Sequence, residues 1–171
     1  IPYKKIMTDF VDEVEESALR SNAINTVYRV KDKIVGANTD GVGFISSLKK
    51  DLGFNTNSNT KVMCIGAGGA AYGIVSSLID LSPNVIKIGN RTKSSGIKLI
   101  KHFEKFTRTK KICETTPLGP NSINDIDLLV NCTSCGMDGK NPLAIELSSM
   151  NKKSLVYDIA VSYTHLTLPT S

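Results

Sequence analysis

Hydrophobic positions change their spacing repeatedly along this chain. In residues 9–22, DFVDEVEESALRSN, Phe10, Val14 and Ala18 recur every fourth position with acids between them. That spacing predicts an amphipathic helix, with Thr8 or Asp9 as its N-cap. Residues 25–37, NTVYRVKDKIVGA, predict two short strands around a turn at Lys31-Asp32-Lys33. Residues 40–52, DGVGFISSLKKDL, return to helical spacing, with Asp40 near the N-terminus. The polar turn formers of 53–60, GFNTNSNT, mark a linker.

Beyond the linker the texture changes to short apolar runs alternating with helical spacing. Strands are predicted at 61–65, 85–88, 112–114, 127–130 and 155–157, with helices at 68–81 and 93–106. Strands alternating with helices imply an α/β fold with a parallel sheet and crossover connections.

Composition narrows the classes. A chain of 171 residues holds one full domain and part of another, at ~100–200 residues per domain. The net charge of +5 suits an anionic ligand, but the lysines are scattered, so solvated surface charge explains them better than nucleic acid does. The longest apolar stretch, near 62–71, is too short and too rich in glycine to span a bilayer. Four cysteines lie at 64, 113, 132 and 135, two of them inside apolar runs. Reduced, buried thiols in a cytoplasmic protein fit that placement. The chain begins Ile-Pro rather than with Met, so it reads as a fragment from which a targeting segment could have been lost.

The chemistry concentrates after the strand at 61–65. There Gly66-Ala67-Gly68-Gly69-Ala70-Ala71 fits G-x-G-x-x-A at the opening of a helix. Gly66 permits the tight turn, Gly68 lets backbone approach a pyrophosphate, and Ala71 allows close helix–strand packing. Exposed N–H groups and the helix dipole then hold the anion. The alternative is a strand–helix turn that binds nothing.

About twenty residues on, dinucleotide folds that bind NAD carry an acid for the ribose hydroxyl. This chain has Asn90, Arg91 and Thr92 there, followed by Lys93. A carboxylate would repel a 2′-phosphate, whereas arginine offers it a planar fork of donors. The cofactor expected is therefore NADP. The alternative for Arg91 is a solvated residue at a helix start.

Six short motifs, IPYKK (1–5), NAINTVYR (22–29), VGANTDGVGF (35–44), GAGGAA, GNRT and LLVNCTSCGM, together resemble the shikimate dehydrogenase family, in order and with compatible spacing over 1–160. The resemblance implies reversible, NADP-dependent reduction of 3-dehydroshikimate to shikimate, on the route to chorismate and the aromatic amino acids. It implies a catalytic Lys4, a substrate-binding and catalytic Asp40, and an Asn25 that meets a substrate hydroxyl. Lysine suits the reaction, because reducing a ketone needs a proton donor at the oxygen. Taken alone, Lys4 would read as a surface lysine and Asp40 as a helix cap. The loop with Thr133 and Ser134 flanks the nicotinamide by the same resemblance. Residues 1–54 then form the end of an α/β substrate domain with its connecting helix. Residues 55–160 form a doubly wound, Rossmann-type NADP domain. The partners implied are small molecules, with no nucleic acid or membrane, in a monomer or homodimer.

Other features carry less. Cys132 and Cys135 form a C-x-x-C, but without a second pair or a thioredoxin-like setting neither metal nor redox use is expected. His102, on a lysine-rich helix, reads as solvated. VSYTHLTLPTS, 161–171, resembles a translated sequencing adapter and is set aside as non-native. A chain cut at both ends is expected to be inactive by itself. Two rivals remain: a quinate/shikimate dehydrogenase of the same family accepting NAD, and a dinucleotide-binding module without chemistry.

Overall fold

The computed structural model describes residues 6–106, 113–119, 122–135 and 145–159. Lys4 and the 161–171 tail lie outside them. The first part of the chain folds as a short 3-10 turn (Ile6–Phe10), β1 (Glu13–Val14), α1 (Glu16–Ser21), β2 (Thr26–Val30), β3 (Lys33–Ala37) and α2 (Asp40–Lys50). The second part is β4 (Lys61–Ile65), α3 (Gly69–Asp80), β5 (Val85–Gly89), α4 (Lys93–Phe103), β6 (Cys113–Thr116), β7 (Leu128–Asn131) and β8 (Leu155–Asp158).

The predicted helix over 9–22 is not formed as one piece, and neither Thr8 nor Asp9 caps it. Its first half is drawn into a sheet. The Asp12 N–H donates to the Ile34 carbonyl and the Glu15 N–H to that of Gly36, and β1 pairs parallel with β3. These long-range bonds outweigh the local spacing. Only α1 remains, and it ends at Asn22 in the left-handed region, φ 52°, as asparagine tolerates. A smaller correction concerns α4, which stops at Phe103 rather than 106.

β4 to β8 form one parallel sheet in the order β6-β5-β4-β7-β8. The chain steps outward from β4 through β5 to β6, then returns to the other flank of β4. That reversal makes the sheet doubly wound, with its switch point beside β4. Both faces of β4 are buried, as a central parallel strand requires. Val62 and Cys64 face Ile74, Val75 and Leu78 of α3 together with Leu99 and Phe103 of α4. Met63 and Ile65 face Ile123, Ile126 and Leu129. Fully burying one such aliphatic side chain stabilises the fold by ~1.5–3 kcal/mol.

α1 and α2 pack on α3 and so join the two parts. Arg20 of α1 donates to both carboxylate oxygens of Asp80, at 3.2 and 2.8 Å, and to the Ser76 carbonyl at 2.9 Å. α2 lays Phe44 and Leu48, one turn apart, into the core. His102 is not solvated as the sequence suggested. It is half-buried, its Nε2 lies 2.8 Å from the Arg20 carbonyl oxygen, and its ring packs on Tyr72.

Candidate active site

Because the five strands run parallel and in register, their carboxyl ends share one edge. Ile65 pairs with Gly89 on one side and with Asn131 on the other. The residues that follow, 66–70, 90–93 and 132–135, therefore converge at the switch point, where ligands of open α/β sheets bind.

Gly66 turns the chain there at φ +105°, a conformation L side chains rarely adopt. A Cβ on it would also stand 2.9 Å from the Thr133 methyl and 3.2 Å from the Cys132 carbonyl group. Ala67 is half-buried, while Gly68, Gly69 and Ala70 are exposed. A Cβ on Gly68 or Gly69 would meet open space. Gly68 caps α3 without a side-chain hydrogen bond, and the first turn of α3 has no acid. The N–H groups at this helix end thus have no competing anion from their own first turn.

At the end of β5, the Asn90 amide donates to the Thr92 carbonyl at 2.8 Å and shapes the turn into α4. Arg91, Thr92 and Lys93 are exposed. The first turn of α4 also lacks an acid. The donor set of guanidinium, hydroxyl and ammonium groups fits a phosphate monoester, and nothing in that turn repels one. The fit to a 2′-phosphorylated dinucleotide is good on both counts: a bare glycine turn for the pyrophosphate and cations at the neighbouring strand end.

Asn25 and Asp40 meet on the other part of the chain. Asn25 Nδ2 donates to Asp40 Oδ1 at 2.6 Å. Asn25 Oδ1 accepts from the Thr39 N–H at 3.0 Å and the Thr26 hydroxyl at 2.9 Å. Asn38, which sequence reasoning passed over, braces the pair. It is buried, its Nδ2 donates to the Ala23 carbonyl at 2.9 Å, and its Oδ1 accepts the Asp40 N–H at 3.1 Å. A Cβ on Gly73 would lie 3.6 Å from Asp40 Cβ. The pair therefore stands about one turn along the helix that begins at the glycine turn.

Asn131 is the second residue the sequence reading passed over. It is buried at the end of β7, where its Oδ1 accepts from the Thr133 N–H at 3.0 Å and hydroxyl at 2.7 Å. A polar residue closing an apolar strand, as in LLVN and VGAN, was the available signal for both asparagines. Thr133 is half-buried and Ser134 exposed. A cavity of about 250 Å³, lined by residues that include Arg20, Asn38, Gly41, Gly73 and Asp80, has none of its lining at the carboxyl ends of the five-stranded sheet. No cluster of three or more metal-ligating side chains occurs among the described residues.

The family model of shikimate / quinate 5-dehydrogenase matches residues 48–163. The chain belongs to this family. A shikimate dehydrogenase (NADP(+)) from Vesicomyosocius okutanii is 34% identical over 163 residues, covering 95% of this chain and 58% of the relative. Among solved structures, a shikimate dehydrogenase in complex with NADP+ superimposes with a TM-score of 0.81 at 26% identity, over 94% of this chain and 55% of that one. A quinate dehydrogenase from Corynebacterium glutamicum in complex with NAD gives 0.78 at 25% identity, over 92% and 56%. The family member thus spans little more than half the length of the relatives it matches.

Proposed function

We propose that the protein reduces 3-dehydroshikimate reversibly to shikimate with NADP as cofactor. The observation that carries this reading is that one helix joins the glycine turn to the Asn25–Asp40 pair. α3 begins at the glycine turn and, about one turn on, passes the Asn25–Asp40 pair. A dinucleotide seated on the turn and a hydroxylated substrate at the pair would lie side by side, as group transfer between them requires.

In this reading Arg91, with Thr92 and Lys93, holds the 2′-phosphate, and the N–H groups of 66–70 hold the pyrophosphate. Thr133 and Ser134 flank the nicotinamide, which when bound supplies the hydride. Asn25 and Asp40 hold substrate hydroxyls. Lys4 Nζ gives its proton to the ketone oxygen as negative charge develops there, and Asp40 orients the ammonium. Cys64 and Cys132 are buried, a placement that suits reduced thiols in a cytoplasmic setting. Among the described residues no helix is long and apolar enough to cross a membrane.

The test is shikimate-dependent reduction of NADP by the full-length protein. Lys4→Ala should lower kcat by ~10²–10⁴, with NADP affinity unchanged. Near-normal turnover in that variant would remove Lys4 from the chemistry. Faster turnover of quinate with NAD would favour the activity named for the Corynebacterium relative.

A further inference from the structure

We infer that Asn131 is a positioning residue that sets the nicotinamide side of the crevice and leaves its adenosine side alone; this rests on the dinucleotide reading above. The buried amide is fully used. Its oxygen accepts twice from Thr133, and its Nδ2 donates to both carboxylate oxygens of Asp158, each at 3.2 Å. The Ile159 N–H returns to the Asn131 carbonyl at 3.2 Å, and the next residue, Cys132, donates its N–H to Ile65 at 2.8 Å. Asn131 and Cys132 together thus tie the ends of β4, β7 and β8.

The consequence passes to the glycine turn through Thr133. That hydroxyl donates to Asn131 and accepts the Cys135 N–H at 3.1 Å, which fixes its rotamer. The fixed rotamer turns the methyl toward Gly66, where a Cβ would come within 2.9 Å of it. Asn131 therefore holds the 132–135 loop against the turn that receives the pyrophosphate.

Strand order gives the sidedness. Arg91 follows β5, Gly66 follows β4 and Asn131 ends β7, and these strands are neighbours in that order. With the 2′-phosphate at Arg91 and the pyrophosphate at Gly66, the other half of the dinucleotide lies over the end of β7. Only a side chain with an acceptor on one side and a donor on the other can serve there. Aspartate would face the Asp158 carboxylate with like charge, and leucine would offer neither the acceptor that Thr133 uses nor the donor that Asp158 uses.

The test compares NADPH with adenosine 2′-monophosphate binding in the full-length protein. Asn131→Asp should weaken NADPH about tenfold or more, the loss of one charged hydrogen-bond partner, and leave the monophosphate, which reaches only the Arg91 end of the crevice, within about twofold. Adding Asp158→Asn reverses the polarity of the pair and should recover most of the NADPH affinity. Equal loss of both ligands, or unchanged NADPH binding, overturns the proposal. So does failure of the double variant to recover NADPH affinity while it melts like the parent. If the parent binds neither ligand, the dinucleotide reading itself fails. Amide exchange at Thr133 and Cys135 then still reads the positioning, because Asn131→Asp should speed it and the double variant restore it.

Discussion

In the five-stranded sheet, β4 keeps Val62 and Met63 fully buried, whereas in the three-stranded sheet β2 leaves Val27 and Val30 exposed at 44% and 47%. The two sheets therefore hold their candidate site residues by different means. The glycine turn at 66–70 is backbone, and it stands on a strand whose two faces are both packed. Asn25 and Asp40 are side chains at the end of a hairpin, and a web of short polar contacts from Asn38 and Thr39 fixes them. Apolar packing is non-directional and costly to remove, while a hydrogen-bond web is directional but individually weak. The crevice thus has one wall fixed by its core and one fixed by its polar wiring.

Substitutions can break this contrast. The largest effect is expected from Leu78→Ala, which empties a fully buried position under β4 and should cost ~2–5 kcal/mol of stability. Val30→Ala on the exposed strand should stay within about 0.5 kcal/mol. Denaturant melts of the two variants compare the sheets directly, and similar losses would show that β2 is as tightly packed as β4.

Gly66→Ala should come next. It forces a side chain into a positive-φ turn and against Thr133, a strain of ~1–3 kcal/mol, and it should weaken NADP and NAD alike. Arg91→Ala should instead separate the two cofactors. NADP should lose on the order of 1.5–3 kcal/mol, the worth of one charged hydrogen-bond partner, with NAD hardly changed. Titrations of both cofactors against each variant decide this, and equal losses at Arg91 would sink the 2′-phosphate assignment.

The smallest effect concerns Asp125, at the opposite end of the sheet from the crevice. A hydrogen bond from Lys61 holds its carboxyl below the usual range, against the raising effect of burial, and the charge of Lys87 helps. A depressed carboxyl contributes stability at neutral pH that is lost as pH falls through its folded value. The side chain is half exposed, so the pair is worth only about 0.2–1 kcal/mol. Asp125→Asn should flatten the acid limb of the stability curve by no more than that, and an unchanged curve would leave the pair without weight.

The sequence exposed these regions unevenly. The strands 61–65 and 85–88 and the helix 68–81 were legible to within a residue or so, because a closed core imposes its period on every position. The segment 9–22 misled, because Asp12 and Glu15 bond to β3, more than twenty residues on, and spacing alone cannot register that. The glycine turn and Arg91 were visible because backbone freedom and charge are written in residue type. Asn38 and Asn131 were not singled out: a buried amide serves through its partners, and Ala23 and Asp158 are distant in sequence.

α2 crosses α3 with almost nothing between them. A Cβ on Gly41 would stand 2.9 Å from the Gly73 carbonyl oxygen and overlap the Ser77 hydroxyl. Asp40 opens the helix that touches, and the glycine turn opens the helix that is touched. The interval between them is thus gauged by two main chains, like jaws closed on a hard stop. Side chains elsewhere can be exchanged without resetting that gauge, whereas a single methyl group added at position 41 would pry the jaws apart.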